Sequence, residues 1–557
     1  MPVIDLDFVE LRRQIVGIDM PIQTPFGERL MVYADFTASG RSLTFIEDYL
    51  LSLQSLYANS HTEDDFSGRA TTELLRQAER LIKRAVNAGP DGRIIACGSG
   101  ATGAIDRMQQ LVGVKLPSAT RSLLDHLLGG FLGRDRLEAL HGYFRDHQPV
   151  VFVGPYEHHS NEISWRESLC TVVEVKMEAS GGIDLAHLEA LLEAPAYRNR
   201  LRIGSFSAAS NVTGMRSPVH EIAGLLHRHE ALAFFDFAAS APYVDIDMNP
   251  MWGTAEEALD AVFISPHKFL GGPGASGLLI FNKRCYHQEL PPSIAGGGTV
   301  EYVGPEDHDF IGDIEAREKA GTPGILQTIK AALAFEVKLA IGTERIGARE
   351  HQMTQLAMAR WGEHPGIEIL GNPDPERRIG IISFNVRDPH RNYLHPRFVT
   401  TLLNDLFGIQ TRAGCSCAGP YGHKLLDIDP HKAAAYRTWI SRGYHGVKPG
   451  WCRIGFHYAF DDLEVDYLLD AVEFVADHGH RFLHQYRFDA REGGWEHKHW
   501  QETKAELSLL AALGAQARRS PPDYTERRDR YRQALDQARE LARAGVGGPE
   551  GTEPLPR

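Results

Sequence analysis

The chain has 557 residues, 43% hydrophobic and 24% charged, a globular balance that excludes a disordered or fibrous protein and leaves room for two to four domains at roughly 150 residues each. With 73 acidic and 59 basic residues the formal charge is −14, which argues against nucleic acid as a partner, because that binding needs clustered cations. Six cysteines in so long a chain fit thiols in a reducing compartment better than a disulfide framework.

The N-terminal segment, 1–31, mixes acids and Arg12-Arg13 with its apolar residues and lacks the apolar core of a signal peptide. No stretch reaches the roughly 18 uncharged apolar residues of a membrane span. The expectation is a soluble cytoplasmic protein with no membrane partner. Strand-length apolar runs then follow at 93–97, 150–153, 171–175, 201–206, 231–236, 261–264 and 277–281. Most are apolar throughout, as strands covered on both faces must be. Helical patterns such as 185–192 and 219–229 lie between them. This alternation predicts an α/β fold with a mainly parallel seven-stranded sheet in a large domain, 32–308. Residues 113–147, rich in Leu, His and Arg, read as a helical insertion. A helix at 328–341, a strand at 379–385 and a helix at 398–406 predict a smaller α+β domain over 309–483. The remainder, 484–557, reads as a charged helical extension with a disordered end from 545.

Ligands of such sheets bind at the carboxyl ends of the strands, so the polar residues there are the candidates. The strand at 93–97 leads into Gly98-Ser99-Gly100-Ala101-Thr102-Gly103, an anion cradle opening a helix. Its spacing matches neither the P-loop nor the dinucleotide fingerprint. The strand at 150–153 leads to Tyr156-Glu157-His158-His159-Ser160-Asn161, where an imidazole could stack on a ring or move protons. The strand at 201–206 leads to Ser210-Asn211-Val212-Thr213. Asp236 ends a very apolar strand, where a buried carboxylate calls for a cationic partner such as a protonated pyridine nitrogen; a helix N-cap is the plainer alternative. One strand–helix–strand unit later come Ser265, His267 and Lys268, followed by a glycine-rich turn. A lysine beside hydroxyl and imidazole donors suits an aldehyde cofactor bearing a phosphate, the amine forming a Schiff base. Taken alone, that lysine is a surface loop residue.

With five strand ends carrying compatible chemistry in one order, the chain resembles the class V aminotransferase fold of pyridoxal 5'-phosphate enzymes (type I), in particular cysteine desulfurases, selenocysteine lyases and the desulfurase domain of molybdenum-cofactor sulfurases. The resemblance spans about 32–476. It implies that Lys268 carries the cofactor, Asp236 pairs with the ring nitrogen, His158 stacks on the ring and Asn211 lies near the ring hydroxyl. Ala101, Thr102, Ser265 and His267 match the phosphate cup. Thr322 matches a phosphate contact given by a second subunit, which implies a homodimer. Tyr33 to Ser39 resembles the family's opening strand, and His61 its early substrate-side histidine.

Two further matches concern the substrate. Arg453, in Trp451-Cys452-Arg453, matches the arginine that binds an amino-acid carboxylate, with a structural salt bridge as the alternative. The segment Arg412 to Pro420 resembles the loop of the sulfur-accepting cysteine and places Cys417 there, with Cys415 as its neighbour and Arg412 able to favour a thiolate. A zinc site is disfavoured, since Cys415-Ser416-Cys417 lacks a paired motif, and no metal is expected. Ala239 and Gly103 depart from many relatives, which have Gln or His and Glu there. The implied activity is removal of sulfur from L-cysteine, giving alanine and a persulfide on Cys417, with His158 relaying protons and a possible acceptor protein. Selenocysteine lyase, C–S lyase, aminotransferase or epimerase chemistry, or a non-catalytic scaffold, remain open.

Overall fold

The computed structural model describes residues 6–60, 63–501, 507–508 and 521–544. Its central sheet has seven strands: β1 (Gly92–Cys97), β2 (Val150–Val153), β3 (Thr171–Glu174), β4 (Arg202–Ser207), β5 (Leu232–Asp236), β6 (Ala261–Ile264) and β7 (Gly277–Asn282). Their spatial order is β1-β7-β6-β5-β4-β2-β3. Five neighbours, β3, β2, β4, β5 and β6, run parallel, while β7 is antiparallel to both β1 and β6. The mainly parallel seven-stranded α/β sheet expected from the sequence is present.

The continuous apolar runs have the burial they imply. Val150, Phe152, Phe234, Phe235, Val262 and Phe263 are all fully buried, because helices cover both faces. Helix α1 (Gly100–Leu111) packs on β1, β6 and β7, and helix α2 (Val219–Arg228) on β5. The insertion at 113–147 forms two helices, Ser118–Leu132 and Arg134–His147, neither of which buries a residue. One expectation fails locally. Between β5 and β6 there is no α-helix, only a short 3-10 turn at Ala255–Glu257. Asn249, Pro250 and Gly253 in that connection break helical continuation.

A second, antiparallel sheet holds β8 (Ile367–Ile369), β9 (Ile381–Val386), β10 (Arg412–Gly414) and β11 (Trp451–Gly455) in the order β8-β9-β11-β10. Near β10, the short strand Val32–Tyr33 pairs in parallel with Ile409–Gln410. The next residue, Ala34, continues the link: its N–H donates to Gln410 O at 2.9 Å, and Gly455 N donates to its carbonyl at 2.9 Å. The segment before Asp35 is thereby stitched to the chain before Arg412 and to the end of β11.

The C-terminal extension opens with a hairpin, Tyr486–Phe488 against Trp495–His497, and ends in helix Tyr524–Ala544. That helix is fastened by Arg527, which bonds to Asp461. Arg12 joins the same buried group through Asp19 and Glu464, both at 2.7 Å. The end expected to be disordered, from 545, lies outside the described residues. Among the described residues no helix is long and apolar enough to cross a membrane.

Candidate active site

The carboxyl ends of β2, β4, β5 and β6, the start of α1, and the loop after β10 enclose a cavity of about 280 Å³. Lys268, Asp236, His158, Asn211, Ala101, Thr102, Ser265, His267, Arg453 and Cys417 all line it. Ten residues spread over more than 350 positions meet in one place.

The floor comes from β5 and β6. Asp236 is 4% exposed and accepts one backbone hydrogen bond, from Ala238 N at 2.8 Å. Burial raises its pKa, opposed by that bond and by the Lys268 charge. Lys268 follows β6 in a one-turn 3-10 helix started by Pro266, whose fixed φ suits the first helical position. Loss of water lowers its ammonium to about 8, against the pull of Asp236. That leaves an appreciable fraction of free amine near neutral pH, as a lysine that reacts with an aldehyde needs.

One end of the cavity is built for an anion. The N-cap residue of helix α1, Ser99, makes no side-chain cap, so the first-turn amides face outward with the positive end of the helix dipole. Gly100 has φ +61°, and a Cβ there would lie 2.7 Å from His267 Cε1 and 2.9 Å from Ser265 Oγ. Only glycine permits that approach. Ala101 N donates to Ser265 Oγ at 2.9 Å, and the Thr102 and Ser160 hydroxyls pair at 2.6 Å. His267 is lowered to about 4 by burial and by Lys268, and is neutral at pH 7.

His158 and His159 divide their work. The His158 Nδ1 accepts Ser160 N at 3.1 Å, so its neutral ring carries the proton on Nε2. Burial, then Lys268, lowers it to about 4. His159 grips the cysteine loop instead: its N–H donates to Cys417 O at 2.8 Å, and its Nε2 accepts Gly419 N at 2.9 Å. Beneath them Glu157, 3% exposed, accepts from Gly154 N, Ser207 N, Ser207 Oγ and Asn161 Nδ2 at 2.7–3.1 Å. Burial pushes that carboxyl up to about 7.

The opposite wall belongs to the second sheet. Ser416 and Cys417 both have positive φ, +50° and +57°, a left-handed pair that ordinary side chains avoid. The turn exposes Cys417 at the cavity, while Cys415 is half-buried and packs against the core. Arg453 is 3% exposed. It donates to Asn211 O at 2.9 Å and to Asp35 Oδ1 at 2.8 Å, and its Nε has no hydrogen-bond partner among the described residues. Arg412 donates to the other oxygen of Asp35 at 3.0 Å. The salt-bridge alternative for Arg453 is therefore real, and it coexists with a place in the cavity wall.

One expected residue is not brought there. Thr322 is exposed and accepts from Asn59 Nδ2 at 3.1 Å, outside the cavity lining. His61 lies outside the described residues. Conversely Asp35, Glu157 and Ser207 take part without having been singled out.

The residues present fit pyridoxal phosphate. They offer a helix N-terminus with hydroxyl and imidazole neighbours for the phosphate, a buried carboxylate for a protonated ring nitrogen, and a buried Asn211 Oδ1 with no hydrogen-bond partner among the described residues. The protein comparisons agree. A family model described as aminotransferase class-V matches residues 139–468. A probable cysteine desulfurase of Halalkalibacterium halodurans is 31% identical over 296 residues, covering 52% of this chain and 67% of the relative. Another, from Streptomyces coelicolor, is 25% identical over 478 residues, covering 84% and 97%. In fold, the chain is similar to the cysteine desulfurase of Thermococcus onnurineus NA1 (TM-score 0.61, 19% identity, 80% of this chain and 94% of that one). The cysteine desulfurase CsdA of Escherichia coli gives the same score and identity, covering 84% and 98%.

Proposed function

The chain belongs to the aminotransferase class-V family and is a pyridoxal-phosphate enzyme, and on that premise we propose that it removes sulfur from L-cysteine, leaving alanine and a persulfide on Cys417. The observation that carries this reading is the strained turn that places the exposed Cys417 in the same cavity as Lys268 and Arg453. Bound pyridoxal phosphate supplies the electron sink that lets the α-carbon of an amino acid lose a proton.

The chain's own residues do the rest. Lys268 anchors the cofactor and takes the α-proton; Asp236 keeps a proton on the ring nitrogen. The start of α1, with Ala101, Thr102, Ser265 and His267, would hold the phosphate, and Asn211 would serve the ring hydroxyl. Arg453 binds the substrate carboxylate, and neutral His158 exchanges the proton on its Nε2 with the substrate. The Cys417 thiolate attacks the substrate sulfur: an S–S bond forms as the C–S bond breaks with its electron pair left on the carbon side, and alanine is completed by a proton at the β-carbon and by return to the α-carbon of the proton that Lys268 took. The persulfide is then open to a thiol reductant or a sulfur-acceptor protein.

The exposed Thr322 suits a site completed across a homodimer, and His61 a substrate-side role. We assign 32–308 to the large domain, with 113–147 inserted, 309–483 to the small one, and the protein to the cytoplasm. The test is product formation. With L-cysteine and a reductant the enzyme should release sulfide and alanine, and Cys417→Ala should lower that by on the order of 10³-fold or more while the cofactor's visible absorbance stays. Cys415→Ala should keep most activity. Full sulfide release by Cys417→Ala would reassign the reaction to a lyase of the same fold.

A further inference from the structure

We propose that the excursion 418–450 is the docking surface for an acidic, thiol-bearing protein that takes the sulfur from Cys417; this rests on the reading of Cys417 as the persulfide carrier. The segment leaves the cavity wall at Cys417 and returns to it with β11 and Arg453. It holds two helices, Gly419–Leu425 and Pro430–Ser441.

The outer helix packs little of itself on its own chain. None of the 12 residues of Pro430–Ser441 is buried. Only Ala433, Tyr436 and Ile440 are half-buried, at the spacing of a single inner face. The outward face carries Lys432, Ala435 and Trp439, and Arg442 follows at the same spacing. Trp439 is 48% exposed. The Arg442 guanidinium lies 5.4 Å from a Trp439 ring centroid, and Tyr444 meets the indole edge-on at 5.5 Å. An ordered tryptophan with arginine beside it and small residues around it is the composition of a protein interface, not of a solvated helix face.

Charge decides the class of partner. Residues 418–450 hold five basic side chains against Asp427 and Asp429, a net of +3 in a chain of −14. Lys424 is bonded to Glu174, and Lys432 stands 3.8 Å from Asp429. Arg437, Arg442 and Lys448 make no ion pair among the described residues. Three open cations beside an aromatic anchor suit the carboxylates of an acidic protein, while the negative charge of the rest of the chain repels an extended polyanion.

The surface is held in place at both ends. The bond of Lys424 to Glu174 ties its first helix to the end of β3. At the other end His445 N donates to Arg491 O at 2.9 Å and Gly446 N to Ala490 O at 3.0 Å. Both acceptors belong to the hairpin of the C-terminal extension, which thereby gains a part in the site, and a surface already ordered loses little freedom on binding. Arg442 and Trp451 are nine residues apart, at most roughly 30 Å of chain. A partner of ordinary interface breadth on this helix therefore reaches the cavity mouth. Transfer is thiol exchange: the partner's thiolate attacks the outer sulfur of the persulfide, a new S–S bond forms, and the old one breaks to release Cys417 as thiolate.

The test loads the holoenzyme with L-cysteine, removes the excess, and adds one of two peptides of equal length, each with a single cysteine. One peptide is rich in Asp and Glu, the other in Lys, and sulfur transfer is read by mass as persulfide on the peptide. The acidic peptide should react faster by roughly tenfold or more at low salt, with the margin shrinking in salt on the order of 0.5 M. Arg437→Glu combined with Arg442→Glu should erase that margin, and Trp439→Ala should lower transfer to the acidic peptide several-fold. Arg134→Glu combined with Arg136→Glu makes the same change of net charge on an inserted helix and should keep the margin within about twofold. Dithiothreitol, a small uncharged thiol, should discharge parent and variants at one rate. A basic peptide as fast as the acidic one in the parent, or equal loss in both charge-reversed pairs, would overturn the proposal. Absence of any persulfide after L-cysteine would count against the desulfurase reading instead. The surface is then decided by fluorescence anisotropy of a labelled acidic peptide with serine for cysteine, whose binding should weaken in Arg437→Glu/Arg442→Glu alone; equal binding by all the proteins would overturn it.

Discussion

The two walls of the cavity are made differently. The wall holding Lys268, Asp236, Ser265 and His158 stands on strand ends whose preceding residues are fully buried, and its groups are set by a short turn, a Pro and a Gly. The other wall carries Arg412 and Arg453 on paired strands of the second sheet but its thiol, Cys417, on a loop with two left-handed non-glycine residues, and its charges are arranged by Asp35 from the far end of the chain. Groups that must hold one geometry sit on strands; the thiol that must meet a substrate and then an acceptor sits on a turn.

That contrast can be broken at its strongest point first. Lys268→Ala should abolish product formation, by on the order of 10⁴-fold or more, and remove the visible absorbance of lysine-bound cofactor. The apoprotein's melting temperature should be unchanged or higher, because a buried charge has been removed. A sharp drop in melting temperature would mean that the strand-built wall depends on its catalytic residue for shape.

Acid probes the same wall less severely. His267, held near 4 against an ordinary value near 6.5, binds its proton less readily folded than unfolded. Its contribution to stability is present above about 6.5 and is lost as the pH falls toward 4. The stability difference between the parent apoprotein and His267→Asn should therefore shrink on acidification, by on the order of 1 kcal/mol per pH unit at most, in urea unfolding at pH 7 and pH 5. A pH-independent difference would show that the imidazole is not held neutral. Glu157, raised to about 7, titrates in the opposite sense and is common to both proteins.

The smallest effect belongs to the loop. Ser416 has φ +50°, and its buried hydroxyl has no hydrogen-bond partner among the described residues. Ser416→Gly should stabilise the protein slightly, by up to about 1 kcal/mol, since glycine takes this conformation freely and an unsatisfied polar group is lost. A fall in stability would show that the turn is not where the loop's strain resides.

The same division explains what the residues revealed before the fold was known. Lys268, Asp236 and the Gly98–Gly103 turn were legible because each follows an apolar run, and short-range spacing carries the signal. Asp35 was not, although the segment around it was noticed: its partners lie 377 and 418 positions away, and no local pattern marks a carboxylate that will bridge two arginines. Glu157 sat unread inside a recognised segment, since its four donors come from β4 and from neighbouring loops. The supposed helix between β5 and β6 failed because spacing alone suggested a repeat unit that Pro250 and Gly253 interrupt.

The pairing of Val32–Tyr33 with Ile409–Gln410 also bears on the order in which the molecule can assemble. Closing so long a loop has an entropic cost that grows only slowly with its length, but the contact cannot form until its second partner exists. During synthesis, at roughly 5–20 residues per second, every strand of the central sheet leaves the ribosome well before Arg412 and Arg453. The pocket for the cofactor is therefore in hand while the pocket for the amino acid is still being translated.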